Sequence, residues 1–353
     1  MKFSSIASAL RAGFLVGLIA ALCGGCYLLQ SAEGQLSLMS KRQPIAKVIA
    51  RPDTPPPLRK QLAAVAEIRD FATRTLKLPD NGSYRSYADV KRRYVVWNVV
   101  TAPEFSVTPK EWCYPIVGCV AYRGYFVEAR AKEFAAAQRA SGFDVALGGV
   151  AAYSTLGHFD DPILNTMLGW NDVELAAIIF HELTHQLLYV ANDASFNEAL
   201  ATTVEEEGVK RWLIAQGREQ DLKEHLVEEQ RYLAVVNLLN ATRAHLKTLY
   251  AEPLPPAAMR EAKALEFANL RSEFLRLKEQ FGGHAPFEAW FAEDINNAHL
   301  ASVATYFVCV PGLERELQAV GGDLPAFYRR AKELSKWDRK ARDALVCGDA
   351  ADL

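Results

Sequence analysis

Residues 181–198 read His-Glu-Leu-Thr-His-Gln-Leu-Leu-Tyr-Val-Ala-Asn-Asp-Ala-Ser-Phe-Asn-Glu. On an α-helix, side chains four residues apart lie one above the other, so the imidazoles of His181 and His185 can bind the same metal ion. Glu182 lies about 100° further round the helix and can reach a water on that ion rather than the ion itself. The spacing therefore predicts two zinc ligands and a general base.

The residues before this motif predict a buried helix. Asn171-Asp172-Val173-Glu174 has the form of a capping box, and the helix that follows is apolar on nearly every side. Two histidines and a glutamate in such a helix would cost about 1–3 kcal/mol for each polar group left without a partner. A metal site accounts for them, and a hydrogen-bonded polar cluster in the core is the alternative.

The third zinc ligand must come from another part of the chain, because a catalytic zinc usually has three protein ligands and an open position for water. Asn192-Asp193 predicts a turn, after which a second helix begins near Ser195. A carboxylate in the first turn of that helix would face the histidines, which makes Glu198 the predicted third ligand. Alternatively, Ser195 and Glu198 form a capping box in which Glu198 turns back to the backbone of Ser195.

The second helix carries a family resemblance. Asn-Glu-Ala-Leu-Ala at 197–201 resembles the Asn-Glu-x-x-Ala signature of gluzincin metallopeptidases, in which the glutamate is the third zinc ligand. The wider chain resembles a bacterial family of predicted zinc aminopeptidases with lipoprotein signals, through Pro79-Asp80-Asn81-Gly82-Ser83-Tyr84, Trp97-Asn98-Val99, Trp112-Cys113, Tyr122-Arg123-Gly124-Tyr125-Phe126 and Tyr153-Ser154-Thr155-Leu156-Gly157. The resemblance implies a zinc ion and a peptide substrate. The spacer between His185 and Glu198 is twelve residues, shorter than in the best-known gluzincins, so their substrate pockets cannot be transferred.

Composition limits the fold class and excludes one class of partner. The chain has 353 residues, of which 50% are hydrophobic, and this suffices for one elaborated domain or two closely packed ones. We expect an α+β fold that is predominantly helical, with a zincin-like metallopeptidase core and a long helical hairpin. The formal net charge of −2 gives no electrostatic case for binding nucleic acid.

The N-terminus has the form of a targeting segment. Residues 12–29 are apolar, and Leu22-Cys23-Gly24-Gly25-Cys26 places small residues before a cysteine, as in a bacterial lipoprotein signal. We expect cleavage before Cys26 and lipidation of its side chain, and an uncleaved transmembrane anchor is the alternative. In both cases the body lies on the periplasmic side of the cell envelope, bound to a membrane, and Tyr27 favours the outer membrane.

The remaining cysteines agree with an oxidising compartment. After removal of residues 1–25 and lipidation of Cys26, four cysteines remain: Cys113, Cys119, Cys309 and Cys347. An even number of cysteines outside the cytoplasm predicts disulfides. The local pairing joins Cys113 to Cys119 and Cys309 to Cys347, two other pairings are formally possible, and four free buried thiols are the further alternative.

Periodicity and turn residues divide the chain into five segments. A helix is expected from the prolines at 55–57 to just before Pro79, strands at 94–100, 120–127 and 143–147, a helix at 128–141, and charged helices at 218–250 and 256–281. The predicted domains are residues 1–25 (signal peptide), 26–50 (membrane tether), 51–217 (catalytic core), 218–282 (helical hairpin) and 283–353 (a C-terminal helical region that completes the cleft).

The segment before the metal helix is a candidate for substrate binding. In zinc peptidases an edge strand beside the ion pairs with the substrate backbone, and small residues allow this close approach. Gly149, Tyr153 and Ser154 lie between the last predicted strand and the metal helix, so we expect them to bind the substrate. The alternative is that the glycines here only make turns.

Two supporting roles complete the predicted site. Glu205 lies seven residues after Glu198 on the same helical face and can orient a ligand histidine, although its neighbours Glu206 and Glu207 also fit a solvated face. A developing oxyanion needs a donor from a separate element. Tyr306 is the preferred catalytic donor, and His299 and His284 are the other candidates.

These residues predict a zinc-dependent peptide hydrolase, with the resemblance favouring an aminopeptidase, that is anchored to the cell envelope. Glu182 would activate a zinc-bound water for attack on the scissile carbonyl. The alternative is a non-catalytic envelope lipoprotein whose structural metal holds two helices together in a binding or scaffold module. A structural zinc is closed by four protein ligands, whereas only three donors are readily found here.

Overall fold

The computed structural model describes residues 30–114, 118–152, 154–303 and 309–348. Cys26, Tyr153, Tyr306 and the predicted signal peptide lie outside the described residues. Within those ranges the fold is predominantly helical with small sheets, which confirms the α+β class. None of the helices found in the described ranges combines the length and the apolar character needed to cross a bilayer.

The elements follow in a simple order along the chain. The helices are α1 (the described residues 30–40), α2 (Ile45–Ala50), α3 (Pro56–Arg74), α4 (Glu128–Ala140), α5 (Asp172–Leu187), α6 (Ala194–Ala215), α7 (Glu219–Leu249), α8 (Pro256–Gln280), α9 (Glu288–Phe291), α10 (Asn297–Val303), α11 (Val310–Ala319), α12 (Leu324–Leu334) and α13 (Arg339–Val346). The strands are β1 (Gln43–Pro44), β2 (Ser86–Ala88), β3 (Val96–Pro103), β4 (Trp112–Tyr114), β5 (Gly118–Val120), β6 (Tyr122–Tyr125), β7 (Phe143–Val150) and β8 (Ile163–Leu164).

The best-developed sheet is antiparallel, with strand order β6-β3-β7. β3 is rich in β-branched residues and pairs with β7 from Val96↔Val150 to Pro103↔Phe143. Helix α4 covers one face of the sheet and buries Ala131 and Ala135 against it. β7 is thus an edge strand of this sheet. Two smaller sheets, β1-β2-β8 and β4-β5, complete the strand content of the described residues.

The largest hydrophobic core surrounds α5 and α6. α5 begins at a capping box: Asn171 Oδ1 accepts hydrogen bonds from the backbone N–H groups of Val173 and Glu174, both at 2.9 Å, and the Asn171 N–H donates to Glu174 Oε2 at 2.8 Å. Gly208 of α6 lies so close to Phe180 of α5 that an added Cβ would be 2.7 Å from its ring. The two helices are therefore in close contact, which holds their polar faces together.

The helical hairpin consists of α7 and α8, with a break at the prolines around 255. It has its own apolar core, to which α9 and α10 add side chains. Ala298 of α10 packs on Val100 and Ala146 of the main sheet, and Lys263 of α8 forms an ion pair with Asp144 of β7 at 2.6 Å. The hairpin is thus joined to the main sheet by both apolar and charged contacts.

Both ends of the described chain pack into the main core. The sequence predicts a tether or edge at 26–50, and β1 does form the edge of its sheet, but Leu38, Ile45 and Val48 are buried in the core. Near the other end, the disulfide Cys309–Cys347 joins the start of α11 to the end of α13. The second disulfide, Cys113–Cys119, links β4 to β5, so the structure has the local pairing.

Candidate metal centre

The turn between α5 and α6 sets the position of the candidate ligand Glu198. Asp193 is the N-cap of α6, and its Oδ1 accepts a hydrogen bond from the Phe196 N–H at 3.3 Å. Asn197 binds both backbone groups of Val190, accepting from its N–H at 2.8 Å and donating to its carbonyl at 2.7 Å. The alternative prediction of a capping box between Ser195 and Glu198 is therefore wrong. Asp193 caps the helix, and the Glu198 carboxylate faces α5.

Three predicted side chains converge at the α5–α6 interface. The Nε2 atoms of His181 and His185 are 3.1 Å apart. Glu198 Oε2 lies 3.3 Å from His181 Nε2, and Glu198 Oε1 lies 3.6 Å from His185 Nε2. One ligand atom from each residue can be chosen so that all three lie within 4.8 Å of one another. No other group of this kind occurs among the described residues.

The spacing of these atoms fits a metal ion. Bonds of about 2.0–2.2 Å to a tetrahedral zinc place neighbouring ligand atoms about 3.3–3.6 Å apart, close to the distances observed. A neutral imidazole that donates from Nδ1 has only a lone pair on Nε2. Three potential ligand atoms therefore lie close together, an arrangement that a cation or a proton between them would stabilise.

The two histidines differ in what supports them. His181 Nδ1 lies 2.8 Å from Glu205 Oε2, so the carboxylate orients the ring and leaves Nε2 free to bind a metal. His185 Nδ1 is buried and has no hydrogen-bond partner among the described residues. Glu205 therefore faces the candidate ligands rather than forming part of a solvated face, as its helical spacing predicts.

The charges of the centre reinforce one another. Burial lowers the pKa of His181, but hydrogen bonding to Glu198 and Glu205 outweighs burial and holds the pKa well above its ordinary value. Burial raises the pKa of Glu198, but its contacts with His181 and His185 outweigh burial and lower the pKa to about 2. Without a metal the Glu198 carboxylate stays ionised and the His181 imidazole favours its protonated form, so a metal ion must displace that proton to bind.

The flank of α5 that carries Glu182 is covered by the loop at 79–84. Gln186, one helical turn after Glu182, accepts a hydrogen bond from Asn81 Nδ2 at 2.7 Å and donates to Ser83 Oγ at 3.3 Å. This contact brings Tyr84, the next residue of the loop, to the same flank. Arg69 is fully buried and donates hydrogen bonds to three carbonyl groups of this loop, which fixes the position of the loop.

Tyr84 and Asp161 lie near Glu182 and were missed by the sequence patterns. Tyr84 has a positive φ of 61° and is 2% exposed. Burial raises the pKa of Tyr84, the charges of Glu182 and Asp161 raise it further, and the nearby Ser154 opposes them. Burial raises the pKa of Asp161 to about 6, against the hydrogen bonds it accepts from Thr155, and the Glu182 charge adds to the rise.

The other predicted residues are placed as follows. Gly149 is in β7, where an added Cβ would collide with the Tyr94 ring, so its small size is explained by packing within the protein. Ser154 is close to Tyr84. His284 is 94% exposed beside Glu288, at the surface of the hairpin region.

His299 lies in the hairpin core rather than at the α5–α6 interface. It packs on Trp290, and its Nδ1 accepts a hydrogen bond from the Asn296 N–H at 3.2 Å. Burial and the charges of Arg139 and Arg271 lower its pKa to about 4, so the ring is neutral at physiological pH. The structure does not bring His284 or His299 into contact with the three candidate metal ligands, and Tyr306 lies outside the described residues.

A family model described as "Putative aminopeptidase" matches residues 26–346. The match covers α1–α13 and therefore the whole candidate metal centre. No curated protein and no solved structure matches the sequence.

Proposed function

The chain belongs to this aminopeptidase family, whose name suggests peptidase activity, and from that premise we propose that it is a zinc-dependent peptide hydrolase. The single observation that carries the proposal is the convergence of His181, His185 and Glu198, with one ligand atom from each within 4.8 Å of the others. Three protein donors leave a coordination position for water or substrate, as in catalytic zinc sites.

Each residue of the centre has a distinct task. His181, His185 and Glu198 hold the ion, and Glu205 fixes the ring of His181 through Nδ1. When bound, zinc supplies a Lewis acid that polarises a carbonyl and lowers the pKa of a water to about 7. Glu182 follows His181 on α5, and its charge acts on that imidazole. Its carboxylate would therefore accept a proton from the attacking water and would deliver it to the leaving amine.

Two buried groups, Asp161 and Tyr84, lie close enough to Glu182 to feel its charge. Asp161 is 1% exposed, so it cannot reach solvent, and its charge acts on the same side of α5 as Glu182. Tyr84 lies within reach of the Ser154 side chain, and the charge of Glu182 acts on its hydroxyl.

The proposal is tested by replacing the general base. We expect Glu182→Gln to bind zinc as the wild type does and to lose about 100- to 10,000-fold in kcat, because the amide cannot accept a proton. Hydrolysis of peptides with free or blocked N-termini and zinc content are measured together. An aminopeptidase cleaves only peptides with a free N-terminus.

The matched control is Glu174→Gln, on the same helix. Glutamine can replace glutamate in a capping box, so this variant should keep both zinc and activity. If Glu182→Gln hydrolyses peptides as fast as Glu174→Gln, Glu182 is not the base. If the wild type binds zinc but cleaves no peptide, the metal has the structural role of the scaffold alternative.

We also propose that the protein is anchored on the periplasmic side of the envelope through a lipid on Cys26. Support comes from the lipoprotein-like sequence at 22–26 and from the disulfides Cys113–Cys119 and Cys309–Cys347, which suit an oxidising compartment. A Cys26→Ala chain that still sediments with membranes after cleavage of its signal would contradict this anchor.

A further inference from the structure

Arg342 of α13 is a buried charge that the proposed chemistry does not use. Its guanidinium forms an ion pair with Asp193, and both side chains are only 3% exposed. It also donates to the carbonyls of Leu334 and Ser335, at 3.5 and 3.4 Å, and lies 4.8 Å from the centroid of the Phe196 ring. Burying two charges removes their hydration, so the pair is not explained by stability alone. Its position is more informative than its energy.

The partners of Arg342 belong to the turn that carries the third candidate ligand. Asp193 is the N-cap of α6, and Phe196 lies two residues before Glu198. Asn197, between Phe196 and Glu198, is bound to the backbone of Val190 through both ends of its amide. A shift of Asp193 would therefore move the first turn of α6 as a unit, and with it the Glu198 carboxylate.

The neighbours of Arg342 hold the same turn. Arg339, one helical turn earlier on α13, donates to the Asn192 carbonyl at 3.3 Å. Asn192 Oδ1 accepts a hydrogen bond from the backbone N–H of Cys119, in the disulfide-closed β4-β5 hairpin, also at 3.3 Å. Asn192 has a positive φ of 61°, a conformation that costs energy and persists only when its surroundings fix it.

α13 is itself fixed to the main core. Cys347, five residues after Arg342, is joined to Cys309 at the start of α11. The backbone of Val346 lies directly against Gly312, where no side chain would fit. The helix that presents Arg342 therefore has a defined position relative to α6, against which α11 also packs.

We propose that Arg342 is a positioning residue for the metal centre, acting through Asp193 and Phe196 on the first turn of α6. The inference rests on the proposed zinc function, because its effect is exerted on Glu198. The ligand oxygens of Glu198 must stay within a few tenths of an ångström of their places for the ion to keep three protein bonds. Arg342 supplies this precision from a helix about 150 residues away in the sequence.

The zinc affinity of full-length variants tests the role. We expect Arg342→Met to weaken zinc binding about 10- to 100-fold, measured on metal-free protein with a competing chelator, well below the melting temperature of the variant. Arg342→Lys should recover part of the affinity, because it keeps the charge near Asp193. Asp193→Asn removes the charge that pairs with Arg342 but keeps the helix cap, since asparagine caps helices as well as aspartate does. We expect it to weaken zinc binding as Arg342→Met does.

Lys263→Met is the matched control, because it removes the cation of another largely buried ion pair, which joins the hairpin to Asp144 of the main sheet. It should lower Tm and leave the zinc Kd unchanged. As a second readout, saturating zinc should restore kcat in Arg342→Met.

The outcomes separate the two proposals. If the wild type binds zinc and both Arg342→Met and Asp193→Asn bind it equally tightly, although Tm falls, Arg342 only stabilises the fold and the positioning role is overturned. The same conclusion follows if Lys263→Met weakens zinc binding as much as Arg342→Met. If the wild type itself binds no zinc, the proposed function fails, and this inference fails with it.

Discussion

Two pairs of consecutive helices in this protein bury their contact faces in opposite ways. α7 and α8 pack through apolar side chains: Val235, Leu239, Leu246, Phe267, Leu270 and Phe274. α5 and α6 are also surrounded by apolar side chains. Their interface, however, contains His181, His185, Glu198 and Glu205. The first pair stabilises itself by excluding water, whereas the second contains polar groups that a fold of this kind does not need.

The difference shows where the protein gives up stability for chemistry. Buried imidazoles and carboxylates cost free energy unless something compensates them. In α5–α6 they compensate one another only in part, since His185 Nδ1 has no hydrogen-bond partner among the described residues. A metal ion bound between the two Nε2 atoms and Glu198 would add favourable contacts at the interface that the hairpin lacks, so metal binding should stabilise the α5–α6 pair and leave the hairpin unaffected.

The largest expected effect is on the hairpin. Phe274 is 2% exposed and stacks on Phe291 with ring centroids 3.6 Å apart. Phe274→Ala should lower the free energy of unfolding by about 3–5 kcal/mol through lost burial and a cavity. Zinc affinity should stay within about twofold of the wild type, because distant sites act independently. Denaturant unfolding and zinc titration measure the two quantities.

The companion variant is Phe180→Ala, in α5 next to His181. Phe180 is fully buried and supports the close contact with Gly208, so its removal should reduce both stability and zinc affinity. Equal zinc affinities in the two phenylalanine variants would mean that the two helix pairs do not differ in the way described.

Acid should affect the hairpin region through His299. Burial lowers its pKa to about 4, whereas the unfolded chain has a histidine pKa near 6.5. Below pH 6.5 the unfolded state binds a proton that the folded state does not, so stability falls as the pH drops from about 6.5 to 4. The total loss from this residue is about 3 kcal/mol.

His299→Gln should remove that part of the pH dependence. Unfolding by urea at several pH values between 7 and 4 gives the slope for each protein. The wild type should lose stability more steeply than the variant. Identical slopes would show that His299 is not held neutral by the fold.

Glu205→Gln should produce the smallest of these effects, and it acts on the other helix pair. The amide can still accept a hydrogen bond from His181 Nδ1 but carries no charge, so zinc affinity should fall about tenfold. The control is Glu207→Gln, two residues after Glu205 on α6. This variant breaks an ion pair with Arg211 and should not change zinc binding. Wild-type zinc affinity in Glu205→Gln would show that the charge of this carboxylate does not contribute to metal binding.

Local patterns predicted the parts of the molecule that local interactions determine. The capping box at Asn171, the start of α3 at its prolines and the hairpin α7–α8 follow from residues close in sequence. The sequence also predicted that Glu198 faces the histidines, because a short turn joins the two helices.

Long-range contacts could not be predicted in this way. Asp193 rather than Ser195 caps α6, and the contact that holds Asp193 comes from Arg342, 149 residues away. A single arginine in a charged, amphipathic helix carries no periodic signal of burial. Tyr84 and Asp161 likewise reach the Glu182 flank from irregular loops, where neither helix nor strand periodicity applies.

The most direct test of the central claim is the zinc affinity of metal-free wild type compared with Glu198→Ala. We expect the wild type to bind one zinc ion per chain, with only nitrogen and oxygen ligands in its X-ray absorption spectrum. Glu198→Ala should bind it about 100-fold more weakly or worse, because one of three protein ligands is lost. Equal zinc affinity in the two proteins, or no binding by the wild type, would contradict a metal centre built from His181, His185 and Glu198.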